Sequence, residues 1–168
     1  MADYATYWNG EWVPYSQVKI EPNDRGFTVG DVIYDAERTF NGKSFRLKEH
    51  IDRVYRSLKY ILLDPGLSPE EMLDISKEAI RRNEHLLAEI GDFTIHQYVT
   101  RGPGRWTRDA GPPTVIVDVG PVDFARFGPL YKPGIHAVIV CTRSYSPEQL
   151  DPKVKHGSRW TFGQARGS

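Results

Sequence analysis

The chain has 168 residues, 39% of them apolar and 26% charged, enough for one domain with its own core or one and part of a second. Lysine and arginine balance aspartate and glutamate to a formal net charge of +0, which argues against a nucleic-acid or membrane-surface role. A single cysteine, Cys141, excludes an internal disulfide, and its apolar surroundings predict a buried thiol that is no nucleophile.

The polar start, Met1 to Tyr4, lacks the apolar stretch of a signal peptide. No apolar run approaches the ~18 residues of a membrane span, so the cytoplasm is the expected compartment. Tyr7 to Val13 reads as a hairpin of two aromatic strands about Asn9-Gly10, a pair suited to the positive φ of a type I′ turn. Glu21 to Gly26 reads as a loop. Val32 to Thr39 is strand-like, Asn41-Gly42 is a second tight turn, and Ser44 to Arg46 returns.

Leu47, Ile51, Val54, Leu58 and Ile61 recur at helical spacing and predict a helix over Leu47 to Leu62. His50 and Arg53 share a face of it. Arg53 falls between Ile51 and Val54 at the apolar border, where a guanidinium wants an anion; by pattern, snorkelling or pairing with a carboxylate such as Glu49 is the simpler reading. Asp64-Pro65-Gly66 breaks the chain. Ser68, Pro69 and Glu71 then have the spacing of a capping box, opening a helix expected to run to about Ala88.

Phe93 to Thr100 alternates as a strand. Arg101-Gly102-Pro103-Gly104-Arg105-Trp106-Thr107-Arg108 is a basic, glycine-rich loop, read equally well as a solvated turn or as a site for a carboxylate or phosphate. Thr114 to Val119 and Ile135 to Thr142 are apolar strands. Between them, breakers from Pro121 to Gly134 resemble a linker. The expected organisation is therefore a domain over 1–120, a linker over 121–134 and the beginning of a second domain over 135–168.

Lys155 lies in Asp151-Pro152-Lys153-Val154-Lys155-His156-Gly157-Ser158-Arg159. A desolvated or positively flanked lysine can form a Schiff base with a carbonyl compound, although most lysines are solvated surface charges. Lys153, two residues away, is the position most easily confused with it.

Taken together, Asp24-Arg25-Gly26-Phe27, Gly30-Asp31, Tyr34, Asn41-Gly42, Phe45-Arg46-Leu47, Glu49 to Arg53, Val99 to Gly102 and Asp151 to Lys155 resemble the class IV, fold-type IV pyridoxal-phosphate enzymes. That family holds the branched-chain and D-amino-acid aminotransferases, the R-selective amine transaminases and aminodeoxychorismate lyase. The resemblance covers nearly the whole chain and the first half or slightly more of a family member, which continues for more than a hundred residues past its lysine. Val32 to Asp35 is closer to the D-amino-acid and R-amine branches.

The resemblance implies an α+β fold: a small α/β domain with an antiparallel sheet and two helices, then the start of a larger, mostly-β domain. It implies pyridoxal 5'-phosphate as cofactor, with Lys155 as its Schiff-base lysine and proton carrier. Arg53 would bind the cofactor phosphate, Tyr34 would orient cofactor or substrate, and Arg105 would help read the substrate carboxylate. The implied reaction is transamination between an amino donor and a 2-oxo acid in a homodimer. A non-catalytic binding or dimerisation module and an aminodeoxychorismate-type lyase are the alternatives.

Overall fold

The computed structural model describes residues 3–104 and 111–158. Among these, six strands form one antiparallel sheet: β1 (Ala5–Trp8), β2 (Glu11–Pro14), β3 (Val32–Phe40), β4 (Lys43–Ser44), β5 (Phe93–Thr100) and β6 (Thr114–Pro121), in the order β2-β1-β6-β5-β3-β4. The helices are α1 (Arg25–Val29), α2 (Leu47–Tyr60), α3 (Pro69–Asn83), α4 (Leu87–Ile90) and α5 (Phe124–Phe127).

Local chemistry sets the corners. Asn9 and Gly10 take φ of 49° and 96°, and Asn41 and Gly42 take 51° and 73°, as two-residue hairpin turns of this type require. Ser68 accepts from the Glu71 N–H while Glu71 accepts from the Ser68 N–H, so the capping box opens α3 as expected. Asp24 caps α1 and is fully buried. One of its oxygens accepts from the Gly26 N–H, and the other accepts from the Thr100 and Thr114 hydroxyls at 2.8 and 2.7 Å. A side chain at Gly26 would collide with Thr100.

Helices α2 and α3 cover one face of the sheet. Leu47, Ile51, Val54 and Leu58 from α2, Met72 and Ala79 from α3, and Phe93, Ile95, Val99 and Val117 from the strands form the core. Burial at roughly 25 cal/mol per Å² of apolar surface is what holds α2 to β3. Strand β3 is unusual, because its buried side carries Ile33, Asp35, Glu37 and Thr39 in alternation. Two carboxyl groups thus point under the helices.

Several expectations are corrected. Helix α2 ends at Tyr60, and the helix predicted to about Ala88 stops at Asn83, followed by a 3-10 turn over Glu84–Leu86 and then α4. Asn83 turns its amide to the backbone of Ala5 and Ala79, which ties the end of α3 to β1. The loop expected over Glu21 to Gly26 gives way at Arg25 to α1, and the linker contains α5 and a 3-10 turn over Gly128–Tyr131. Ile135 to Thr142 is not a strand. It has no ladder partner among the described residues, and Ile135, Val138 and Ile139 are 74%, 82% and 98% exposed. Cys141, on the same uncovered segment, is exposed and not buried. Among the described residues no helix is long and apolar enough to cross a membrane.

Candidate active site

The site forms where the sheet edge is left open. β4 pairs only with the far end of β3, at Thr39 and Phe40. The near end takes the segment that holds Lys155. The Tyr34 N–H donates to the Lys155 carbonyl at 3.2 Å, the Gly157 N–H donates to the Val32 carbonyl at 2.9 Å, and Ile33 bridges His156. Val154 is buried, and the Lys155 N–H donates to the Ser57 hydroxyl of α2 at 3.1 Å. The Lys155 backbone is therefore fixed to both a strand and a helix. Its Nζ stands 4.2 Å from the centre of the Tyr34 ring, which stacks on Tyr98 with centroids 6.1 Å apart.

Arg53, one turn before Ser57 on α2, borders the same cleft. That cleft has a volume of about 390 Å³ and is walled by Arg53, Ser144, Tyr145 and residues 150–156. Lys153 also borders it, but its side chain is exposed and its N–H is turned to Asp151.

Arg53 does not pair with Glu49, which pairs with Arg46 instead. Its Nε and Nη2 donate to the two oxygens of Asp35, each at 2.6 Å. Such a two-point grip fixes the guanidinium plane. Nη1 makes no hydrogen bond to a described residue, and the side chain remains 39% exposed. Burial pushes the Asp35 carboxyl up, but hydrogen bonds from Arg53, His50 and the Ala36 N–H outweigh it and hold the group below the usual carboxylate range. The same hydrogen bond to Asp35 raises the pKa of Arg53.

His50 Nδ1 lies 3.0 Å from Asp35 and 3.9 Å from Glu37 Oε2. Burial pushes Glu37 up to about 8, against the lowering effect of its hydrogen bond from Gln97. Asp35, Glu37 and His50 have ligand atoms within 4.8 Å of one another. Spacing alone would suit a metal ion. Both oxygens of Asp35 are occupied by Arg53, however, and a cation there would face the guanidinium charge.

The chemistry-bearing positions fall into two groups. Tyr34, Arg53 and Lys155 come together at one end of β3. Arg105 and Arg108 lie outside the described residues. Arg101, also read as part of an anion loop, is tied to Asp31 at 2.7 Å and to the carbonyls of Ile61 and Leu62, so it braces α2 against the sheet. Asp35, Glu37 and Ser57 were not singled out from the sequence. Alternating carboxylates on the strand beneath Arg53 were the available signal.

The family model described as amino-transferase class IV matches residues 32–166. The chain belongs to that family. A Methanocaldococcus jannaschii protein assigned as a branched-chain-amino-acid aminotransferase is 35% identical over 153 residues, covering 89% of this chain and 50% of that protein. D-alanine aminotransferase of Staphylococcus aureus strain N315 is 41% identical over 94 residues, 56% of this chain and 32% of that protein. The branched-chain aminotransferase of Thermoproteus uzoniensis, solved with norvaline, superposes with a TM-score of 0.83 at 19% identity, over 99% of this chain and 57% of that one. The Escherichia coli branched-chain aminotransferase gives 0.80 at 18% identity, over 98% and 53%. At these identities the solved structures establish the fold: the class IV member here has the mixed helix and antiparallel-sheet architecture of their matching halves. The chain spans about half the length of the Methanocaldococcus relative and less of the Staphylococcus one.

Proposed function

We propose that this chain supplies the lysine- and phosphate-binding side of a pyridoxal-phosphate site for transamination between an amino acid and a 2-oxo acid. The observation that carries the reading is a single cleft bordered by both Arg53 and Lys155. Its volume, about 390 Å³, lies within the range of small-molecule sites, roughly 300–1,000 Å³. The donor set fits the group: a guanidinium whose Nη1 makes no hydrogen bond to a described residue, for a phosphate, and an amine for an aldehyde. A further branched-chain aminotransferase of similar structure has been solved with pyridoxamine 5'-phosphate and with N-(5'-phosphopyridoxyl)-L-glutamate.

When bound, pyridoxal phosphate supplies a reactive aldehyde and a ring that accepts electrons. The remaining work falls to the chain. Asp35 fixes the Arg53 guanidinium through Nε and Nη2, so Arg53 would hold the phosphate and orient the ligand. Lys155, anchored through its backbone, holds its amine over Tyr34. That amine would hold the aldehyde and, when free, would carry a proton to and from the substrate Cα. The Tyr34 hydroxyl orients cofactor or substrate, and Arg105 reads the substrate carboxylate. The division into 1–120, 121–134 and 135–168, and a cytoplasmic homodimer with its sites near the subunit interface, belong to the same proposal.

A spectroscopic titration of the chain with pyridoxal phosphate tests the reading. Saturable binding is expected, weakened about 10- to 100-fold by Arg53→Ala, the cost of losing charge-assisted hydrogen bonds. Binding equally tight in the parent, Arg53→Ala and Lys155→Ala would remove the site from this cleft.

A further inference from the structure

Alternation along β3 sends Glu37 under the helices, two residues beyond Asp35. Its side chain is almost wholly buried. Oε1 accepts from the Gln97 amide at 2.7 Å, and that amide also donates to the Ser76 hydroxyl. Among the described residues Oε2 has no hydrogen-bond partner, and neither has the Gln97 carbonyl oxygen. Both orphans are acceptors, so what the pocket lacks is a donor. A proton on Glu37 supplies one. An ionised Glu37 would instead bury a second negative charge beside Asp35. The titratable and charged groups facing Glu37 are Asp35 on its own strand and His50 and Arg53 on α2; β5 and α3 present neutral Gln97 and Ser76.

We propose that Glu37 holds a proton beneath the Asp35–Arg53 pair, and that this proton couples to the binding of an anion at Arg53. The proposal rests on the reading of Arg53 as the anion-binding residue. Charge sets the direction of the coupling. With Glu37 neutral, Asp35 and Arg53 cancel, and an arriving anion meets a neutral cluster with one open guanidinium edge. With Glu37 ionised, a second carboxylate joins Asp35, and the added negative charge repels the anion. Anion binding therefore favours the protonated cluster and takes up a proton when pH is high enough for Glu37 to have lost it. By reciprocity, affinity falls as pH rises through the titration of Glu37 and levels off above it. Glu37 acts here as a positioning residue that sets the charge under Arg53 and touches no ligand itself.

Sulfate is the probe, because it does not titrate in the working range. Two measurements on the full chain decide the matter. Carbon-13 NMR of the Glu37 carboxyl should show a titration midpoint near 8, moved upward by sulfate. Calorimetric sulfate affinity should fall about fivefold or more between about pH 6.5 and 9, and Glu37→Gln should flatten that fall. A Glu37 resonance that titrates in the ordinary glutamate range overturns the proposal even if the variant does not fold. So does an equal loss of sulfate affinity in Glu37→Gln. Sulfate binding with no sensitivity to Glu37 would sink this inference alone, whereas no sulfate binding at any pH, with Arg53→Ala unchanged, would sink the Arg53 reading as well.

Discussion

The described residues up to 121 and those from 122 to 158 obey different rules. In the first region every strand pairs, two helices seal one face, and buried polar groups such as Asp24 and Asn83 are tied across long sequence distances. In the second region, Ile135, Val138 and Ile139 face solvent, and the chain touches regular structure chiefly where residues 154–157 dock on β3 and α2. Apolar sequence alone thus does not make a strand: Val115 to Val119 has β5 on one side and β1 on the other, while Ile135 to Thr142 has neither. What the second region contributes is Lys155, and its anchorage is borrowed from the first.

The contrast can be broken at several points. Phe93→Ala, at a side chain with no exposure, should cost about 3–5 kcal/mol in urea unfolding. Acidity comes next. Glu37 is raised to about 8 in the folded state, so its contribution is complete below the unfolded pKa, about 4.3, and is lost progressively as pH rises to about 8. The unaltered chain should therefore lose on the order of 1–4 kcal/mol between about pH 5 and 8 relative to Glu37→Gln. Asp35 acts in the opposite sense. Its folded pKa is depressed, so its contribution is present above the unfolded value, about 3.9, and disappears as pH falls through the folded value. Gly157→Ala should displace the docked segment, because a Cβ there collides with Val32. We expect less than about 1 kcal/mol of global destabilisation, with loss of amide-exchange protection at Tyr34 and Gly157. Ile139→Ala should change stability by no more than about 0.5 kcal/mol, as expected for an exposed side chain.

The first region was largely legible in the sequence. The Asn-Gly turns, the capping box and the 3.6-residue pattern of α2 are local signals, and each forms where local chemistry places it. The errors have a common physical origin in tertiary context. A helix of propensity sufficient to reach Ala88 is stopped by the docking of Asn83 on β1, and an apolar run without a neighbouring strand stays irregular. In the site, Arg53 was marked by its position between apolar residues, yet its partner is Asp35, distant in sequence and on another element. Glu37 was invisible because a carboxyl in an alternating strand reads as solvent-facing until the register shows that the helices lie on its side. Tyr34, Arg53 and Lys155 were marked by family resemblance; only the structure shows the strand edge that brings them together.

The central claim is that Lys155, and not its neighbour Lys153, is the amine of a site that also contains Arg53. The direct measurement is to incubate the purified chain with pyridoxal phosphate, reduce with borohydride and map the modified lysine by peptide mass spectrometry. One dominant adduct is expected, on Lys155, abolished by Lys155→Ala and weakened by Arg53→Ala. Labelling centred on Lys153, or spread over surface lysines without regard to Arg53, would contradict it.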